Sequence, residues 1–161
     1  MSDLETPQSP ARRPFPLRWL ILLVAALVIY GLVTRRAESR LAWMHDFDAA
    51  AAQAKARGVP LLVDFWADWC GPCLALDARI FSSNEVASLA ARRFVPARID
   101  LSRRPPPAPA GAVALRYRVS GLPTVLIIDS SSRQVIATAG PEDIDSPQTF
   151  IAFLERHAGA E

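Results

Sequence analysis

The stretch VPLLVDFWADWCGPC, residues 59–73, restricts this chain most: a continuous apolar run passes one acid, Asp64, and leads past a second, Asp68, to the only two cysteines, Cys70 and Cys73. An apolar run without strict alternation is the pattern of a strand covered on both faces. Helical spacing resumes after Cys70 with Leu74, Ala78, Ile80 and Phe81 apolar, so the thiols fall where a buried strand gives way to a helix. Gly71 permits the tight entry, and Pro72 is tolerated because the first helical turn needs no N–H from it. Unpaired backbone N–H groups and the helix dipole favour an anion there, which makes Cys70 the expected attacking thiolate. Cys73, one turn on and pointing inward, is the expected resolving thiol.

Two other uses of such a pair compete. A zinc half-site needs two further ligands, and apart from its acids the chain offers only His45 and His157, both distant in sequence. A purely structural disulfide at this spacing closes a loop too short to constrain much of the unfolded chain. Thiol–disulfide exchange uses the spacing directly, so no metal is expected and no cofactor beyond the redox-active Cys70–Cys73 pair. A binding module that holds a soft ion such as Cu(I) through two thiolates, a metallochaperone, is the rival class. Burying Asp64 charged within LLVDFW would cost several kcal/mol, so its pKa is expected to rise toward the range useful for general acid and base work. The alternative for Asp64 is a polar rim.

The remaining elements follow by period. Leu41, Met44, Phe47, Ala51 and Ala54 fall on one helical stripe, with Asp46 or Asp48 to cap it and Gly58 to end it. SSNEV signals a short helix ending near Arg92 or Arg93. FVPARIDL reads as a strand, with Pro96 pointing to an end or an edge. SRRPPPAPAG, residues 102–111, is a proline-rich surface connector, with a PxxP ligand as the lesser alternative. A helix from about Pro109 to Tyr117, a strand in SGLPTVLIID, a turn into VIATAG and an amphipathic helix in PQTFIAFLERHA complete the order. Alternating units followed by a hairpin imply an α/β fold, a mixed central sheet with helices on both faces.

Ahead of this lies WLILLVAALVIYGLVT, Trp19 to Thr34, uncharged between Arg18 and the pair Arg35 and Arg36. Its sixteen residues rise only ~24 Å as a helix, so the flanking arginines would extend toward the headgroups. The expected division is a disordered tail over 1–14, one transmembrane signal-anchor helix over 15–36, a linker over 37–45 and a domain over 46–161. A cleaved signal peptide ending near AES, Ala37 to Ser39, is the alternative. Three arginines on each side leave the orientation undecided by charge. With 18 basic against 16 acidic residues, a net charge of +2 and arginines scattered along the chain, nucleic acid is not an expected partner.

VDFWADWCGPC with SGLPT downstream resembles the thioredoxin family from about Asp46 to His157. ADWC, FDAAAAQAKARGVPLLVDF and IFSSNEV are more similar to the C-terminal thioredoxin-like domain of the bacterial transmembrane reductase DsbD than to a cytosolic thioredoxin. The resemblance implies a thioredoxin fold in which Asp64 moves the proton on and off Cys73. The lysine that pairs with this acid in thioredoxins corresponds to Pro96 here, with Arg98 the nearest base. It implies that Pro123 is a cis-proline beside the thiols, against the alternative of an ordinary turn, and that Leu122 offers its backbone to a substrate. It places Trp69 over the active-site surface and Asp77 near the thiols, with a solvated helix residue as the alternative for Asp77.

The resemblance further implies a thiol:disulfide oxidoreductase acting on protein thiols and disulfides. CGPC favours a reductase, since thioredoxin itself is poised at about −270 mV. A DsbD-like membrane electron donor is implied, with the chain single-pass in a bacterial inner membrane and its domain in the periplasm. A cytoplasm-facing anchored reductase is the alternative. Cytochrome c maturation, repair of wrongly oxidised periplasmic proteins and relay to a further carrier all call for this one site.

Overall fold

The computed structural model of the chain describes residues 17–33 and 39–159, in two units divided after Arg36. The first unit holds helix α1, Leu17–Val33, of 17 residues. Its large apolar side chains between Trp19 and Ile29 are each 51–60% exposed and lie on all sides of the helix. Seventeen residues rise about 25 Å, short of the roughly 30 Å hydrocarbon layer. Among the described residues no helix is long and apolar enough to cross a membrane. The expected tail and both ends of the expected span lie outside the described residues.

The second unit follows the expected order. Helix α2 is Phe47–Arg57, strand β1 Leu61–Trp66, helix α3 Gly71–Leu76 and helix α4 Asn84–Arg93. Strand β2 is Val95–Asp100, helix α5 Ala108–Arg116, strand β3 Thr124–Ile128, strand β4 Val135–Thr138 and helix α6 Pro147–His157. The sheet runs β2-β1-β3-β4, with β1 parallel to β2 and antiparallel to β3, and β3 antiparallel to β4.

Alternation along β1 decides where Asp64 goes. Leu61, Val63 and Phe65 bury against Phe47, Ala50, Ala51 and Ala54 of α2, whose small side chains let the helix lie close to the sheet. Leu62 faces the other way, into a cluster with Leu76 and Phe81 and the α6 residues Phe150, Phe153 and Leu154. Two residues beyond Leu62, Asp64 belongs to that second face, the one that carries the helix after the thiols.

Pro96 sits on β2, an edge strand, as expected. Its carbonyl accepts from Met44 N at 3.0 Å and Arg98 N donates to the Met44 carbonyl at 2.8 Å, so the missing proline N–H falls on the outer side of the sheet. The same contacts correct the expected helical stripe. Leu41 and Met44 are not helical: Met44 forms a bridge with Ala97, and α2 begins only at Phe47, where Asp46 Oδ1 accepts from Asp48 N and Ala49 N. The open edge of β2 supplies bonds that a further helical turn would have to forgo. Residues 39–45 of the segment expected as a linker therefore add to the domain, with Leu41 buried and Trp43 packed against Phe81. Gly58 ends α2 at φ 66°, a left-handed conformation that costs glycine nothing.

Candidate active site

Cys70 is the N-cap of α3 and Cys73 lies in its first turn; their sulfurs are joined at 2.06 Å. Gly71 and Pro72 occupy the first two helical positions. Cys73 N donates to Cys70 Sγ at 3.2 Å, a side-chain cap made by sulfur in place of the usual oxygen. Both cysteines are nearly buried, packed with Ala67 and against Trp66 and Leu122. The bond between Leu122 and Pro123 is cis, and Leu122 lines the same groove as Cys70. Trp69 is half exposed, and its Nε1 donates to the Ser102 carbonyl at 3.0 Å. Asp68 is a surface residue whose N–H donates to Ser102 Oγ at 3.0 Å.

The helix continues past Leu76 as a π-type turn, Asp77–Phe81, in which Ser82 N donates to the Asp77 carbonyl at 2.9 Å. This wider turn allows Ile80 and Phe81 to be buried side by side while Asp77 meets Arg98. Arg98 lies opposite Asp64 in the β1–β2 register, whereas Pro96 lies opposite Leu62. The base that partners the buried acid is thus Arg98, the nearest base expected from the sequence.

Arg98 is buried and holds two carboxylates. Its Nε donates to Asp64 Oδ2 at 2.9 Å and its Nη2 approaches the same oxygen at 2.8 Å. Its fork also takes both oxygens of Asp77, at 3.1 and 2.5 Å. The guanidinium carbon lies 4.4 Å from the Trp43 ring centroid, 5.1 Å from that of Trp66 and 5.7 Å from that of Phe81.

Only one oxygen of Asp64 is satisfied; Oδ1 is buried and has no hydrogen-bond partner among the described residues. Burial raises its pKa from the ordinary 3.8 to about 7, the Arg98 charge pulling down and the Asp77 charge pushing up. A carboxyl with its pKa near neutrality can take or give a proton there. Among the described residues Asp64 makes no hydrogen bond to either sulfur.

Sequence reasoning did not anticipate Trp43 or the double role of Arg98. An arginine between Ala97 and Ile99 in a buried strand was the available signal, since such a charge needs a partner. His45 and His157 lie apart from the thiols: His45 lines a separate cavity, and His157 Nδ1 is 2.8 Å from the Phe153 carbonyl.

The chain is similar to the thiol:disulfide interchange protein DsbD of Klebsiella pneumoniae subsp. pneumoniae, 31% identical over 129 residues that make up 71% of this chain and 21% of that protein. With DsbD of Cronobacter sakazakii the identity is 35% over 99 residues, 60% of this chain and 16% of that one. The chain thus spans about a fifth of the length of these relatives. The C-terminal domain of DsbD from Neisseria meningitidis, in its oxidised form, shares the fold with a TM-score of 0.59 at 21% identity, over 72% of this chain and 99% of that domain. The profile described as thioredoxin-like matches residues 42–130, more than half of the sequence, and the chain belongs to the thioredoxin-like family.

Proposed function

We propose that the chain is a membrane-anchored protein thiol:disulfide oxidoreductase that works as a reductase. The observation that carries the reading is the Cys70–Cys73 pair at a helix start, in a domain whose buried Asp64 has a pKa of about 7. In the dithiol form, the Cys70 thiolate, favoured by the Cys73 N–H and the helix terminus, attacks a substrate disulfide. The substrate S–S bond breaks, a mixed disulfide forms at Cys70, and one substrate sulfur leaves as thiolate to take a proton. Cys73 then gives its proton to the Asp64 carboxylate and attacks the Cys70 sulfur, releasing the second substrate thiolate. Two electrons pass to the substrate, and the Cys70–Cys73 disulfide results. A dithiol donor, a DsbD-like membrane protein by analogy with the relatives, restores the reduced pair. Leu122 and Pro123 border the incoming chain, and Trp69 covers the site beside Cys70.

Anchoring is supported by the composition of α1, which is uncharged from Trp19 to Val33 and carries large apolar side chains all round. The domain is placed in the periplasm of a bacterial cell, where disulfides form and need reduction or reshuffling. Cys73→Ser in intact membranes tests the chemistry: covalent partners held on Cys70 and released by dithiothreitol are expected. Their absence, under conditions that trap a known thioredoxin-fold reductase, overturns the reading. Resistance of the chain to alkaline carbonate extraction tests the anchor, and labelling of Cys70 by an impermeant thiol reagent in spheroplasts tests the side.

A further inference from the structure

Cys70 opens on a groove of about 760 Å³. Trp69, Pro72 and Leu122 line it near the thiol, and Arg103, Arg104 and Leu115 line it further out. Among the described residues no aspartate or glutamate contributes to the lining. Leu115 is 81% exposed on α5, an apolar side chain left to solvent at the groove margin.

The arginine-bearing loop is tied to the thiol segment. Ser102 accepts from both Asp68 and Trp69, its own N–H donates to Asp100 Oδ1 at 2.8 Å, and Leu101 N donates to the Trp66 carbonyl at 2.9 Å. Pro105, Pro106 and Pro107 then restrict the chain that follows. Arg104 stacks over Trp69, its guanidinium carbon 4.1 Å from the ring centroid, which orients the cation and leaves its N–H edge open. Among the described residues no carboxylate forms an ion pair with Arg103 or Arg104.

We propose that this groove selects a protein partner whose reactive cysteine lies in an extended segment with an acidic side chain and an apolar one within a few residues of it. The carboxylate pairs with Arg104, supported by Arg103, and the apolar residue lies against Trp69, Leu115 and Leu122. Among the described residues the groove holds two cations without an ion pair and no anion in an otherwise apolar lining, which makes this the complementary chemistry, and partial exclusion of water makes the pair stronger than an open surface bridge. The inference rests on Cys70 being the attacking thiol.

Three peptides test it, each carrying its cysteine as a mixed disulfide with a chromophoric thiol, in the same apolar sequence, with Glu, Gln or Lys two residues away. The reduced full chain in detergent attacks the peptide sulfur and releases the chromophore as thiolate, so each rate is read directly. The expected order is Glu, Gln, Lys, spanning about tenfold at low ionic strength and narrowing with salt. The double variant Arg103→Glu with Arg104→Glu is expected to reverse the order, while Arg92→Glu, on α4 away from the groove, keeps it. Equal rates in the wild type, or a wild-type order in the double variant, overturn the docking inference and leave the redox reading standing. No release from any peptide overturns both.

Discussion

Arg98 and Arg104 both lie against tryptophan rings, 4.4 Å from Trp43 and 4.1 Å from Trp69, yet the protein uses them in opposite ways. Arg98 is buried and its donors are taken up by two carboxylates. Arg104 is exposed, and among the described residues no carboxylate forms an ion pair with it. The difference follows from position. Arg98 lies within β2 and points at the face covered by the helix after the thiols, where an unpaired cation could not be tolerated. Arg104 lies in a proline-rich loop at the groove margin, where water solvates it until a partner arrives. The first arginine is a fixed member of the fold that sets the electrostatics around Asp64; the second is available for recognition.

Removing Arg98 gives the largest effect. Arg98→Met leaves Asp64 and Asp77 facing apolar rings without a counter-charge, and is expected to cost about 3–5 kcal/mol in urea unfolding at pH 8. The deficit should shrink at pH 5, because Asp64 once protonated needs no cation. Arg98→Lys keeps the charge but loses the fork, and should fall between the two. A loss under 1 kcal/mol for Arg98→Met would place it with Arg104 and remove the contrast.

Asp64 supplies the next effect. Its folded pKa of about 7 lies above the unfolded 3.8, so the folded state binds the extra proton between those values. That contribution to stability is fully present below pH 4 and is lost as pH rises through about 7, amounting to at most roughly 4 kcal/mol. Asp64→Asn should remove this part of the pH dependence in unfolding titrations. The same substitution should slow resolution of the mixed disulfide by on the order of a hundredfold, and abolish the rise in rate through pH 7 that comes from deprotonating the base. An unchanged rate profile would separate Asp64 from the proton transfer while leaving its structural role intact.

How far these regions could be read without coordinates differs in the same sense. The buried strand, the helix start at Cys70 and the raised acid were legible, because LLVDFW and CGPC carry period, composition and turn chemistry in consecutive residues. The cis bond before Pro123 came from resemblance, since most bonds to proline are trans. Trp43 was not legible: residues 41–54 have an apolar spacing that a helix satisfies, and only the hydrogen-bonding edge of β2, 50 residues later, makes the start of that segment extended. The π-type turn at Asp77–Phe81 was hidden likewise, because its cause is the need to bury Ile80 and Phe81 together while Asp77 reaches across to Arg98. The Ser102 tie that brings Arg104 to Trp69 depends on two backbone segments about 33 residues apart.

The smallest effect belongs to Arg104. An exposed guanidinium over an indole contributes about 0.5–1 kcal/mol, so Arg104→Ala should shift the unfolding midpoint only slightly. Trp69 keeps its own hydrogen bond to Ser102, and the loop retains its prolines and the Ser102–Asp100 contact, so little else depends on the arginine. A cost near that of Arg98→Met would mean that the stacked cation holds the loop in place, and selectivity lost in charge-reversed variants could then be loss of the groove itself. A small cost, together with reversed peptide preference, separates recognition from folding, because a side chain that barely stabilises the free protein can change partner choice only through what it touches in the complex.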